Sequence, residues 1–124
     1  MKNDRQILGE KGEVFAMMYL KKNKYKLLDC NYSSQYGEID IVAKKGGVYV
    51  FVEVKTRSGN FMNPREAVNK KKENNIFATA KEFLKDYNLK DVSYRFDIIE
   101  VIGFDFDDFK INHLENAFWK NLKD

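Results

Sequence analysis

The stretch GEIDIVAKKGGVYVFVEVK, residues 37–55, consists of two strand-like segments separated by the pair Gly46-Gly47. Two glycines between alternating apolar segments are typical of a two-residue β-hairpin turn. When the register set by that turn is followed along both segments, Asp40 comes to lie directly opposite Glu53. The stretch therefore predicts an antiparallel hairpin in which two carboxylates face each other.

Residues alternate between the two faces of this hairpin, because successive side chains of a strand point to opposite sides. The face predicted to be apolar holds Ile39, Ile41, Val50, Val52 and Val54. The other face is predicted to hold Glu38, Asp40, Glu53, Lys55 and Arg57. Two carboxylates placed directly across an antiparallel pair repel each other. A divalent cation would relieve that repulsion, since carboxylate oxygens are among the ligands that Mg²⁺ and Mn²⁺ prefer.

An arrangement without a metal explains the same pattern equally well. Lys55 can pair with Glu38 across the strands, and Lys44 or Arg57 can neutralise the acids at a solvated edge of the sheet. The alternation of residues by itself therefore leaves two interpretations open, a metal site and a set of surface ion pairs.

Apolar residues at helical spacing predict a first helix over residues 4–23, with Asp4 as its N-cap. Gly9 and Gly12 lie inside this helix, although a glycine costs a helix interior roughly 1 kcal/mol relative to alanine. The two glycines therefore predict a close approach to another backbone. Glu13 lies on the same narrow face and is expected to point toward the sheet.

The remaining elements follow from the same patterns. Strands are predicted over residues 26–32, 38–44, 48–57 and 93–102, and a short strand over 109–111. Pro64 is expected to open a long helix as its first residue, with an inward stripe of Val68, Ile76, Ala80, Phe83, Leu84 and Tyr87. Lys72 lies on that stripe, which favours a buried partner or a snorkelling side chain equally. A final helical turn is predicted over residues 113–119.

Composition narrows the protein class. The 124 residues are expected to form one domain, 1–124, and Lys plus Arg exceed Asp plus Glu by only 22 to 19, too little to indicate nucleic-acid binding. Cys30 is the only cysteine, so an internal disulfide is excluded and a reducing compartment is expected. No apolar run approaches the roughly 18 to 20 residues that span a bilayer. The sequence therefore predicts a cytoplasmic protein without membrane attachment.

A family resemblance adds to these patterns. Asp40, Glu53 and Lys55 stand at the D-(x)12-E-x-K spacing found in the PD-(D/E)XK nuclease superfamily. The chain from about Leu8 to Trp119 resembles the YraN-like family of small bacterial proteins through Gly12-Glu13 and the runs GEIDIVAKKGG, FVEVKTR, PREAVNKKK, RFDIIEV and HLENAF. The resemblance implies a restriction-endonuclease-like α/β fold, whose central mixed sheet begins with an antiparallel meander and is flanked by helices.

The resemblance also implies a metal-dependent nuclease. Its catalytic residues would be Glu13, Asp40, Glu53 and Lys55, with Asp40 and Glu53 as ligands of Mg²⁺ or Mn²⁺. Lys55 would orient the attacking water or steady the developing negative charge. Phosphates of the nucleic acid would be held by Arg57, Arg65, Lys70, Lys71 and Lys72.

The substrate is left open between linear, branched and single-stranded nucleic acid. DNA is favoured, and archaeal Holliday junction resolvases, which the superfamily includes, work as two-fold dimers, so a homodimer is one expectation. The main alternative is a non-catalytic nucleic-acid-binding or protein-interaction module on the same fold. Tyr36 and Phe61 are loop aromatics that could stack on unpaired bases, although packing is the favoured role for each. His113 is the only histidine, which leaves histidine-based zinc chemistry without a basis.

Overall fold

Five strands and two helices form the part of the chain that the structure, a computed structural model, describes, namely residues 1–59 and 70–117. In chain order they are α1 (Asp4–Lys22), β1 (Lys26–Ser34), β2 (Gly37–Lys45), β3 (Val48–Arg57), α2 (Lys70–Asp86), β4 (Ser93–Ile102) and β5 (Lys110–Leu114). Among these residues, no helix combines the length and the apolar character that crossing a membrane requires.

The strands form one sheet in the order β1-β2-β3-β4-β5. The first three strands make an antiparallel meander, β4 runs parallel to β3, and β5 runs antiparallel to β4. A parallel pair needs a crossover connection, and α2 lies within the connection between β3 and β4. The mixed sheet begun by a meander is therefore confirmed.

The two helices cover opposite faces of the sheet. On one face, α1 packs in a cluster that contains Ala16, Leu20, Ile41, Val50, Val52, Ile99 and Val101. On the other face, α2 packs in a cluster that contains Ile39, Val42, Phe51, Ile76, Phe83, Phe96 and Ile98. The central strands are apolar on both faces because both faces are covered. This layered arrangement is the restriction-endonuclease-like α/β class that the sequence predicts.

The hairpin register is confirmed from Lys45↔Val48 to Ile41↔Val52, where the regular pairing of β2 with β3 ends. Beyond that point the main-chain N–H of Val54 donates to the Asp40 Oδ2 at 2.7 Å. Asp40 and Glu53 therefore do not form a regular cross-strand backbone pair. They lie where the two strands begin to separate.

The prediction of one continuous apolar face is wrong at Ile39. Ile39 packs on the α2 face, whereas Ile41 packs on the α1 face. The neighbouring strand changes face at the same level, since Cys30 contacts Met17 of α1 and its second neighbour along the strand, Tyr32, contacts Phe83 of α2. Asn31, which lies between these two residues of β1 and beside Asp40, has a φ of +56°, a left-handed conformation that interrupts the alternation of β1.

Three further predictions are corrected at helix ends. The N-cap of α1 is Asn3 and not Asp4, because the Asn3 side chain accepts the Gln6 N–H at 2.8 Å while the Gln6 side chain accepts the Asn3 N–H at 2.9 Å. His113 belongs to β5 and not to a terminal helical turn, because β5 pairs with β4. Tyr87 of the predicted apolar stripe is exposed and follows the end of α2. The predicted helix start at Pro64, with Val68, lies outside the described residues.

Candidate metal centre and nucleic-acid interface

Asp40 and Glu53 meet at the point where β2 and β3 separate. Glu53 is buried, with 8% of its surface exposed. Burial, and next the negative charge of Glu53, raise the pKa of Asp40 from 3.8 to about 7, and the hydrogen bond from Val54 opposes this rise. The folded chain thus holds two carboxylates close enough that ionising the second one is unfavourable.

Two lysines adjoin the same carboxylate. The Lys72 Nζ lies 2.9 Å from the Glu53 Oε1, and the Lys55 Nζ lies 3.9 Å from that oxygen. The pairing of Lys55 with Glu38 that the sequence allowed is therefore replaced by a pairing with Glu53. The buried-partner interpretation of Lys72 is confirmed, since its partner is a buried acid.

The two lysines hold their protons unequally. Burial lowers the pKa of Lys55, and the hydrogen bond and positive charge of Lys72 lower it further. Burial also opposes the charge on Lys72, but its hydrogen bonds with Lys55 and Glu53 outweigh that effect and raise its pKa. The surroundings therefore favour the charged form of Lys72 and disfavour the charged form of Lys55.

Glu13 approaches this centre from α1. Burial raises its pKa, a side-chain hydrogen bond with Asn31 opposes that rise, and the charges of Glu38 and Glu53 add to it. The electrostatic influence of Glu53 on Glu13 places the helix carboxylate within reach of the centre. The sequence expectation that Glu13 faces the sheet is consistent with its half-buried position.

Gly12 sets how close α1 comes to the sheet. A Cβ at Gly12 would lie 2.7 Å from the Cβ of Thr56 on β3, so only glycine permits this contact. The predicted close approach is therefore present at Gly12, although its partner is a side chain. It is absent at Gly9, where a Cβ would meet nothing within 4 Å among the described residues.

The open space beside Gly9 is part of a cleft of about 480 Å³ that contains the carboxylates. One wall of the cleft is formed by β3, with Asp40 of β2 beside it. The other wall is formed by the first half of α1, through Arg5, Gly9, Glu10 and Glu13, and by Lys2 just before the helix. Lys2 and Arg5 are missed by the sequence interpretation. Their signal was present, because Arg5, Gly9 and Glu13 follow each other at four-residue intervals on one helix face.

The predicted phosphate-binding residues are dispersed. Arg57 lies against the buried Glu100, with its Nε 3.1 Å from the Glu100 Oε2, and Lys72 lies against Glu53. Lys71 is exposed on α2. Lys70 begins α2 in the structure, and Arg65 lies outside the described residues.

The donor set suits a hard cation that keeps water ligands. Within residues 1–59 and 70–117, no group of three or more His, Cys, Asp or Glu side chains is arranged to hold a metal. Mg²⁺ commonly takes only one or two protein carboxylates and completes its octahedron with water and phosphate oxygens. The pKa of Asp40 is raised first by burial and then by the negative charge of Glu53, so a bound cation would favour the ionised form of the pair. Asp40 and Glu53 therefore fit Mg²⁺ or Mn²⁺ and do not resemble a closed structural zinc site.

The fold and this cluster define a small restriction-endonuclease-like α/β protein with an Asp-Glu-Lys centre. The model of the uncharacterised protein family UPF0102 matches residues 12–101. The chain belongs to that family, which is the YraN-like family indicated by its sequence.

Relatives named UPF0102 protein match nearly the whole chain. The relative from Clostridium beijerinckii is 41% identical and the alignment covers 98% of this chain and 100% of the relative. The relative from Alkaliphilus oremlandii is 47% identical, with 90% and 97% covered. The relative from Sulfurihydrogenibium sp. is 44% identical, with 88% and 94% covered.

Proposed function

We propose that this protein is a metal-dependent nuclease that hydrolyses nucleic-acid phosphodiester bonds, with branched DNA as the substrate favoured by its family resemblance. The observation that carries the proposal is that Asp40 and Glu53 line the same open cleft. In this position the pKa of Asp40 is raised to about 7. A divalent cation would restore the charge of both acids. We expect the protein to act in the cytoplasm. If its substrate is a four-way junction, which presents two symmetric strands, we expect the protein to act as a two-fold dimer.

In this mechanism, Asp40 and Glu53 would hold one or two Mg²⁺ or Mn²⁺ ions. Such an ion, when bound, polarises the phosphate and lowers the pKa of a bound water. The hydrogen bond from the Val54 N–H holds the Oδ2 of Asp40, so Oδ1 would be the oxygen that binds the ion. Glu13 would accept hydrogen bonds from water ligands at the helix side of the centre.

The two lysines divide the remaining work. Lys72 keeps its charge beside Glu53 and would steady the negative charge that develops on the phosphate. Lys55, whose Nζ lies 3.9 Å from the Glu53 Oε1, would orient the attacking water. The phosphates flanking the cleavage point would be held by cations along the cleft and on α2.

Incubation with labelled linear, flapped and four-way DNA in Mg²⁺ or Mn²⁺ tests the proposal. Cleavage should require the metal and should be abolished in Asp40→Asn and in Glu53→Gln. Each variant should be assayed after its folding is verified by circular dichroism. Cleavage by wild type in excess chelator, or cleavage by either variant at the wild-type rate, would contradict the assignment of the two acids.

A second candidate function rests on the contact between Lys72 and Glu53. This ion pair of 2.9 Å already compensates one carboxylate within the protein, as expected of a non-catalytic module that binds nucleic acid or a protein. Such a module would bind DNA without cutting it, and its melting temperature would not rise on addition of Mn²⁺. Comparison of thermal unfolding with and without Mn²⁺ therefore separates the two functions.

A further inference from the structure

A second cavity lies between α1 and the segments that follow β3 and β4. It has a volume of about 610 Å³, and its lining includes Arg5, Leu8, Lys11, Ser58 and Phe104. Arg5 is a lining residue of both cavities. A ligand in either cavity can therefore be contacted by Arg5.

Phe104 is the most exposed aromatic residue of the described chain, with 67% of its surface accessible. The nearby rings of Phe15, Phe106 and Phe109 pack against one another. Within residues 1–59 and 70–117, Phe104 takes part in no such ring contact. The exposed Phe104 ring is therefore not stabilised by packing against the aromatic cluster beside it.

The loop that carries Phe104 is held in place from three sides. The Gly103 N–H donates to the Arg57 carbonyl at 3.0 Å, which fixes the loop to the end of β3. The Asp108 carboxylate accepts the main-chain N–H of Phe104 at 2.8 Å. The Lys11 Nζ lies 3.4 Å from the Asp105 Oδ2, which ties the loop to α1. The Phe104 ring is thus presented on a fixed support beside the cavity, which lowers the entropy cost of using it for binding.

Arg5 is the cation available to both cavities. Lys11 is engaged by Asp105, and Lys2 is engaged by Glu10 at 2.5 Å. Arg5 forms no ion pair or hydrogen bond within the described residues. The Arg5 guanidinium can bind a phosphate, and the exposed Phe104 ring at the same cavity can stack on a base. These are the two contacts by which proteins recognise a single-stranded nucleotide.

We infer that Phe104 and Arg5 form a subsite for an unpaired nucleotide next to the scissile phosphate. The base stacks on Phe104, and Arg5 binds the phosphate that links this nucleotide to the cleavage point. This inference rests on the proposed nuclease function and deepens it. Bases inside an intact duplex are stacked on their neighbours and cannot reach Phe104, so the subsite selects strands with unpaired nucleotides, such as flaps, junction arms and single strands.

Binding measured without cleavage tests the subsite. The probes are a fluorescein-labelled single strand and the matched blunt duplex, titrated in Ca²⁺ and followed by anisotropy. Phe104→Ala should weaken single-strand binding by about fivefold to 150-fold and leave duplex binding unchanged. Phe104→Trp should bind the single strand as wild type does, because it keeps an aromatic face. Phe104→Leu, which keeps apolar bulk without an aromatic face, should bind it as weakly as Phe104→Ala.

A second pair of variants tests the cation. Arg5→Gln should weaken single-strand binding more than Lys22→Gln does, because both remove one positive charge from α1 but only Arg5 lines the cavities. Equal losses in the two variants would mean that net charge alone is responsible and would overturn the role of Arg5.

The outcomes separate this inference from the nuclease proposal. If Phe104→Ala binds both probes as wild type does and metal-dependent cleavage persists, the subsite is overturned and the nuclease proposal stands. If wild type binds neither probe, the subsite is overturned, and the nuclease proposal is decided by the cleavage assay on flapped and four-way DNA. If Phe104→Ala instead converts a dimer to a monomer in sedimentation without changing single-strand affinity, the cavity serves a second copy of the chain and the inference is overturned.

Discussion

Replacement of Asp40 by asparagine should stabilise the metal-free protein at alkaline pH. The folded-state pKa of Asp40, about 7, lies above its ordinary value of 3.8. Between those values the folded state holds a proton that the unfolded state releases. The stability that this group contributes is therefore complete below about pH 4 and is lost as the pH rises through about 7.

The size of the effect follows from the pKa difference. Each unit corresponds to about 1.4 kcal/mol, so ionisation of Asp40 costs the metal-free fold roughly 4 kcal/mol over the full window. Asparagine does not ionise, and its side-chain oxygen can still accept the Val54 N–H that Asp40 accepts at 2.7 Å. The stability of Asp40→Asn relative to wild type should therefore grow by about 3 kcal/mol between about pH 5 and about pH 8.

Urea unfolding in a chelating buffer at both pH values measures this difference. Asp107→Asn is the matched control, because Asp107 is exposed and the substitution removes the same charge. Mn²⁺ should stabilise wild type at about pH 8 and should have little effect on Asp40→Asn. A stability difference between Asp40→Asn and wild type that does not change with pH would refute the electrostatic strain assigned to the acid pair.

Three further predictions concern the chemistry, the nucleic acid and the packing of α1. Lys55→Ala should lower the cleavage rate about a hundredfold to a thousandfold, because it removes one contact to the reacting groups. Its metal and DNA affinities should stay near those of wild type. A folded variant that cuts at the wild-type rate would show that Lys55 has no part in the mechanism. DNA affinity should fall as salt rises because bound phosphates release counterions, and a flat salt dependence in anisotropy would favour a protein partner. Gly12→Ala should destabilise the fold by about 1 to 3 kcal/mol through its clash with Thr56, whereas Gly9→Ala, in open space, should be neutral or stabilising by up to about 1 kcal/mol in urea unfolding; equal effects of the two substitutions would contradict the close contact between α1 and β3.

The local elements were predictable because their causes are local. The Gly46-Gly47 turn imposes the register of β2 and β3 as far as Ile41↔Val52, and the alternation of apolar residues defines β3 and β4 with the bounds that the structure has. The proximity of Asp40 and Glu53 followed from the same register, although the two residues do not form a regular backbone pair. Short-range pattern and turn geometry were enough for these features.

The electrostatic surroundings of the centre could not be predicted in this way. Lys72 reaches Glu53 because α2 packs on the face of β3 that carries Glu53, which depends on the whole crossover from β3 to β4. The change of face at Ile39 coincides with the left-handed conformation of Asn31 in the neighbouring strand. Neither relation has a fixed spacing in the sequence.

The same reason explains the residues that the sequence interpretation left without a role. His113 lies between the Tyr19 hydroxyl and the buried Asp97 carboxylate, each at 2.8 Å, and Tyr19 is 94 residues away in the chain. Arg5 and Phe104, which are far apart in the sequence, likewise line the same cavity. The sequence by itself determined the family, the hairpin and the identity of the two acids, because period-two alternation and motif spacing act along the chain. Only the tertiary structure decided which cations, rings and helix faces surround those acids, because such contacts arise from the packing of two helices on opposite faces of one sheet.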